Sequence, residues 1–224
     1  MNRLIPVAIL AVFLIAGGGW FLSQGGSTPP DVPLGAANAQ ENAEEVDTSS
    51  IVEMVQGDAE APVTVVEYAS YTCPHCKTFH NGPYKNLKSE YIDTGKVKFI
   101  YREVYFDRYG LWASMIARCG GQERFFGITD LIYKGQSEWV RAGEPSAIVE
   151  ELRKIGRLAG LDNDQLEACL QDGDKAQTLV AWFQQNADAD EIRSTPSFII
   201  DGDKYSNMPW SEMKAIIDGK LGEE

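Results

Sequence analysis

Strand-forming sequence stands at the two ends of residues 51–222, and a long helical block separates them. That spacing limits the folds open to the chain. "VTVVEYA" at 63–69 is β-branched and largely apolar, as a buried strand should be. "KVKFIYREVYF" from Lys96 begins with alternating apolar and polar residues, a second strand, and "IVEMV" at 51–55 reads as a short edge strand. Between the first two of these, the segment from Pro74 to Tyr91 is partly helical in spacing, and Pro83 should interrupt it. Helical stripes follow: Trp112, Met115, Ile116 and Cys119; then "RFFGITDLIYKG", expected to end at Gly135; then Ile148, Leu152, Ile155 and Ala159, stopped by Gly160. Asp162 with Gln165 three later resembles a capping box opening a short helix through Leu166, Cys169 and Leu170, and 173–189 makes one more. Strand signal returns in "TPSFIIDGDKY", with a hairpin turn at Asp201 and Gly202. "PWSEMKAIIDGK" closes the chain as a helix, with Pro209 near its start and Gly219 near its end. One economical solution is an α/β domain with halves at 51–104 and 191–222, split by an all-helical insertion at 105–190.

The N-terminus has a different character. Residues 4–22 carry no charge and follow Arg3, which is long for a signal peptide and near the lower limit for a membrane span. Residues 1–22 are therefore expected to be a signal peptide or an N-terminal membrane anchor, and either one exports the remainder. Residues 23–50, rich in Gly, Ser, Pro, Ala, Asn and Glu, read as a flexible linker. The net charge of −13 argues against a nucleic-acid partner and fits a soluble acidic surface. Four cysteines in an exported chain belong to an oxidising compartment.

Two of them form "CPHC", Cys73 to Cys76, directly after the first buried strand. Zinc needs four ligands, usually as two separated pairs; here Cys73, His75, Cys76 and His80 crowd into eight residues, and there is no second CxxC or HxxxH. Haem attachment needs a histidine after the second cysteine, where Lys77 stands. An inert staple over so short a loop would constrain the unfolded chain little. A redox couple suits the position. Cys73 would sit at a helix N-terminus, where free N–H groups and the helix dipole favour a thiolate. Pro74 fits the first helical position because it has no N–H to leave unsatisfied. His75 is expected to add positive charge or a hydrogen bond beside the Cys73 sulfur. Cys76, one turn in, is expected to be buried and to act as the resolving thiol. A lowered Cys73 pKa stabilises the dithiol and makes the disulfide a stronger oxidant.

"CPHC" after "VEYAS", with "TPSFII" far downstream, resembles the DsbA family of thiol-disulfide oxidoreductases over residues 51–222. The resemblance implies a thioredoxin-like fold interrupted by an inserted helical domain. It implies that Cys73 is the nucleophile and Cys76 its partner. It implies further that Pro196 is a cis-proline beside the disulfide, with Thr195 presenting backbone to an extended substrate. Glu67 matches the family's partly buried acid and would shuttle a proton to or from Cys76. Its charge partner is open, since Tyr101 and Arg102 stand where some members place a lysine.

Cys119 and Cys169 lie on apolar helix stripes. They are either two buried thiols or, as the exported compartment favours, a structural disulfide closing about 50 residues and adding roughly 4 kcal/mol. Trp112 and Phe125 read as core and His80 as a solvated helix residue. Met208, Pro209 and Trp210 are candidates for the border of a substrate groove.

The expected function is disulfide donation to exported proteins with free thiols, in the periplasm or at the cell-envelope exterior, with no metal or organic cofactor. By resemblance, a DsbB-like membrane quinone oxidoreductase would reoxidise the enzyme. An isomerase or reductase of the same fold and a non-enzymatic polypeptide-binding module are the alternatives.

Overall fold

A seven-residue strand with almost every side chain buried, β2 (Val63–Ala69), forms the middle of the sheet. Its β-branched sequence suits a strand covered on both faces. The computed structural model describes residues 46–222. The expected anchor at 1–22 and the linker as far as residue 45 lie outside the described residues. The end of that expected linker is tied to the fold, since the Thr48 hydroxyl donates to Gln185 Oε1 at 2.7 Å. Among the described residues no helix is long and apolar enough to cross a membrane.

The sheet has five strands in the order β1-β3-β2-β4-β5. The β3 strand (Val97–Glu103) runs parallel to β2, with Glu67 opposite Tyr101 and Tyr68 opposite Arg102. Its buried residues alternate with half-buried ones, as a period of two requires. The edge strand β1 (Met54–Gln56) pairs antiparallel to β3 and starts later than the sequence indicates. On the other side of β2 lies antiparallel β4 (Ser197–Ile200), joined to β5 (Asp203–Ser206) by a two-residue turn. Asp201 and Gly202 both have positive φ, 46° and 86°, as a type I′ hairpin turn demands. Asp201 Oδ1 also accepts from the Thr64 N–H at 2.7 Å, pinning the turn to β2.

Helix α1 (Pro74–Asn81) leaves β2 through a short turn and stops at Gly82. Pro83 then opens α2 (Pro83–Leu87), which passes into a π-turn over Lys88–Ile92. Between β3 and β4 the chain is helical: α3 (Arg108–Cys119), α4 (Gly121–Trp139), α5 (Pro145–Leu158), α6 (Asn163–Gln171) and α7 (Gly173–Ala189). After β5, α8 (Trp210–Leu221) ends at Gly222 in the left-handed conformation. Side chains from α3 to α7, among them Trp112, Phe125, Leu152, Leu166 and Leu179, share one buried cluster with Val65 and Phe99 of the sheet.

Two local expectations need correction. Helix α4 continues past Gly135 to Trp139, whose buried indole donates to the Ile132 carbonyl. Burying a tryptophan outweighs the roughly 1 kcal/mol that a helical glycine costs. The capping box at α6 is half formed: Asp162 accepts from the Gln165 N–H, but the Gln165 amide donates to the Cys119 carbonyl instead. That contact lies beside the bond joining Cys119 to Cys169, which ties the end of α3 to α6.

Candidate active site

The central strand delivers the chain to the carboxyl edge of the sheet, where open α/β sheets place their sites. Four residues after Ala69, Cys73 caps α1 with extended backbone (φ −78°, ψ 122°), and Pro74 takes the first helical position. The turn is held from several sides. The Cys73 N–H donates to the Ser70 carbonyl. The Thr72 hydroxyl donates to Asp107 Oδ2 at 2.8 Å, while Asp107 Oδ1 caps α3 through the N–H groups of Tyr109 and Gly110. From α4, the buried Gln136 amide donates to the carbonyls of Tyr71 (2.8 Å) and Cys73 (2.9 Å). Gln136→Leu would strip both carbonyls of that donor, leaving Cys73 O only the Lys77 N–H. We expect a loss of about 1–3 kcal/mol in urea unfolding. We also expect the alkylation inflection of Cys73 to shift, because the helix start is no longer clamped.

Both thiols of the motif are free; Cys73 is half-buried and Cys76 fully buried. Their environments drive them apart. Cys73 is held down to about 5, first by a hydrogen bond from the Cys76 thiol, with help from Thr195 and from the N–H groups of Cys76 and His75, while burial opposes. Cys76 is pushed far up, by burial first, then by its hydrogen bond to Cys73 and by the charge of Glu67. The His75 ring is exposed. What reaches the sulfur is its backbone N–H, one of the four donors a helix start leaves free, and this replaces the expected side-chain contribution.

The peptide bond between Thr195 and Pro196 is cis, just before β4. It brings Thr195 against the motif: its carbonyl oxygen lies 3.4 Å from Cys73 Sγ. Its hydroxyl is buried without a hydrogen bond of good geometry, yet it helps hold the Cys73 pKa down.

Glu67 is fully buried on β2. Its partner is His80, whose Nε2 lies 2.9 Å from Glu67 Oε2. His80 is therefore not the solvated residue expected from sequence; it is 4% exposed and stacks on Tyr133 at 4.4 Å. The spacing held the signal, since Cys76, Phe79 and His80 fall at i, i+3 and i+4, the buried face of α1. Tyr101 shares the Glu67 face of the sheet, but its hydroxyl pairs with that of Tyr133. Arg102 is one residue on and so serves the opposite face, where it binds Glu53, Tyr68 and Asp190.

A cleft of about 420 Å³ opens at Cys73, walled by Thr72, Pro74, Phe106, Asp107, Tyr109 and Val140. Phe106, 60% exposed, also lines a smaller neighbouring pocket with Leu111, Val180 and Phe183. Apart from Pro74, sequence reasoning missed these lining residues and Gln136 as parts of the site, because none of them belongs to a motif. Trp210, a candidate for that border, instead packs edge-on against Tyr91.

Comparison with known proteins fits this geometry. A family described as thioredoxin matches residues 49–219. A Rickettsia bellii protein named "Putative protein-disulfide oxidoreductase" is 34% identical over 172 residues, which span 76% of this chain and 65% of that protein's length. A Bacillus subtilis protein named disulfide bond formation protein D is 26% identical, over 75% of this chain and 76% of its own. The crystal structure of Wolbachia pipientis α-DsbA1 superposes with a TM-score of 0.70 at 27% identity, covering 76% of this chain and 92% of that one.

Proposed function

Because the chain belongs to the thioredoxin family, among its DsbA-like members, we propose that it is a protein-disulfide oxidoreductase that donates a disulfide to exported proteins. The observation that carries this reading is the opposed pair of thiols: one low and accessible, the other high and buried. In the oxidised enzyme a substrate thiolate attacks Cys73 Sγ, the bond to Cys76 breaks, and a mixed disulfide forms at Cys73. A second substrate thiolate attacks the substrate sulfur of that bond and releases Cys73. The departing group is a stable thiolate, so release is fast and the substrate keeps its new disulfide.

The direction follows from linkage. The Cys73 pKa in the folded dithiol lies below its ordinary value, so the thiolate stabilises the reduced protein. That stabilisation is complete above the ordinary thiol pKa and is lost as pH falls through about 5. The oxidised form carries no such thiolate, so near neutral pH the disulfide is the less favoured state and accepts electrons readily.

Titration against glutathione near neutral pH should place the Cys73 and Cys76 couple towards the roughly −120 mV of DsbA itself. A value near the about −270 mV of thioredoxin would make the protein a reductant and reverse the proposed electron flow. The cleft beside Cys73 supplies an apolar wall for the substrate chain, and Thr195 lies where an extended backbone would pass. We place the activity in the periplasm or at the cell-envelope exterior, with residues 4–22 as signal or tether. A DsbB-like quinone oxidoreductase of the membrane serves as reoxidant. These assignments rest on the uncharged N-terminal run and the family relationship.

A further inference from the structure

A net charge of −13 should repel acidic partners, yet two unpaired positive charges stand at the cleft beside Cys73. They come from different walls. Arg108 lies between the wall residues Asp107 and Tyr109 at the start of α3, and Arg141 follows the wall residue Val140 just past the end of α4. Both residues are exposed. Among the described residues they are the arginines whose guanidinium groups make neither an ion pair nor a hydrogen bond. Arg102, Arg118, Arg153, Arg157 and Arg193 each pair with a carboxylate, and Arg124 donates to the Gly160 carbonyl. An unpaired surface arginine is ordinary by itself. What carries weight is that both of them stand at the cleft.

The acid that shares these walls is already engaged. Asp107 Oδ2 accepts from the Thr72 hydroxyl, and Oδ1 accepts from the N–H groups of Tyr109 and Gly110. Glu138 and Glu144, near Arg141 in sequence, form no ion pair with it. Arg108 is also held in place. Its guanidinium carbon lies 5.6 Å from the centre of the Tyr109 ring, and Tyr109 packs edge-on against the buried Trp112. Stacking of this kind lowers the side-chain entropy that a bound carboxylate would have to freeze. Arg108 further lines the small pocket that shares Phe106 with the cleft. A chain that crosses Phe106 from Cys73 therefore arrives at Arg108.

We propose that the cleft selects polypeptides with an aspartate or glutamate close to the reactive cysteine, and that Arg108 and Arg141 determine this specificity. The apolar surface of Phe106, Tyr109 and Val140 takes neighbouring side chains of the substrate. The two guanidinium groups take its carboxylates, for which their forked N–H geometry is suited. They also steer acidic segments to the site against the negative charge of the whole protein, which raises the rate of encounter more than the affinity.

This inference rests on the proposed exchange reaction and names its substrate class; the test separates the two. The oxidised full chain is mixed with dithiothreitol or with one of three dithiol peptides, quenched in acid, and its thiols counted by mass. The peptides differ only in the residues flanking one cysteine, which are aspartate, asparagine or lysine. Flanking charge also alters the peptide's own thiol, so each rate is divided by that peptide's rate with neutral hydroxyethyl disulfide. If wild type does not exchange even with dithiothreitol, the oxidoreductase reading falls and this inference falls with it. If it does, the aspartate peptide should react on the order of tenfold faster than the asparagine peptide at low salt, and the lysine peptide should be slowest. The preference should fade at about 0.5 M salt, where exposed charges are screened. In the double variant carrying Arg108→Gln and Arg141→Gln, the aspartate and asparagine peptides should react alike. A preference undiminished in that variant, or equal rates in wild type, would overturn the proposal and leave an exchange enzyme with a charge-blind cleft. Should the variant fail to fold, the wild-type salt series decides: a preference that survives about 0.5 M salt does not come from exposed arginines, and the proposal fails.

Discussion

Cys73→Ser is expected to abolish exchange with dithiol substrates, by on the order of a thousandfold or more, because a serine hydroxyl cannot form the mixed disulfide. Cys76→Ser keeps the nucleophile and should accumulate mixed disulfides at Cys73, visible as mass adducts with glutathione or substrate peptide. The reduced wild-type protein offers a sharper test. A thiol held at about 5 is almost wholly thiolate at pH 7, but each thiolate is less nucleophilic than one of ordinary pKa. With a Brønsted slope of 0.4–0.5, the two effects nearly cancel at pH 7. At pH 5.5 they do not: a free cysteine has only about one thiolate in a thousand, and Cys73 should be alkylated by iodoacetamide about twentyfold faster than it. The rate should fall only as pH drops through about 5. Cys76→Ala removes the strongest cause of the shift and should move that inflection upward. An unmoved inflection would transfer the effect to Thr195 and the helix N–H groups. A wild-type profile like that of free cysteine would sink the pKa argument and, with it, the assigned direction.

What the residues announce in advance is what local chemistry decides. The central strand shows in its β-branched run, the hairpin in Asp201 and Gly202, and α7 in its period; the structure places each where its residues indicate. The nucleophile shows because a helix start is a property of a few consecutive residues. His80 is hidden because its burial depends on Glu67 from β2 and Tyr133 from α4, and a polar residue in a helix is ordinarily solvated. Gln136 and Asp107 are hidden for the same reason. They come from the helical block, and their value lies in carbonyl and hydroxyl groups many residues away. Gly135 misleads because its helix is kept by the burial of Trp139 rather than by propensity. The two sulfurs of the motif are thus readable from one segment, whereas the residues that clamp the turn around them are assembled only by the fold.

The second large effect is expected where β3 meets α3. Glu103, 1% exposed at the end of β3, receives two hydrogen bonds of 2.6 Å from the Arg118 guanidinium and one of 3.0 Å from Ser114. Arg118 also donates to the Val52 carbonyl and lies over the rings of Phe125 and Trp182. The pair joins the sheet to the helix that begins at Asp107, the residue holding Thr72 beside the nucleophile. Desolvating two charges nearly offsets their attraction, so the intact pair adds little net stability. Arg118→Met is different. It leaves the Glu103 carboxylate buried with only the Ser114 hydroxyl, and the expected loss is about 3–5 kcal/mol in urea unfolding. Adding Glu103→Leu removes the stranded charge, and most of that loss should return, with the urea m-value unchanged throughout. Equal destabilisation in the single and double variants would place the energy elsewhere: in the packing of the arginine stem against Phe125 and Trp182, with the buried charge contributing nothing measurable.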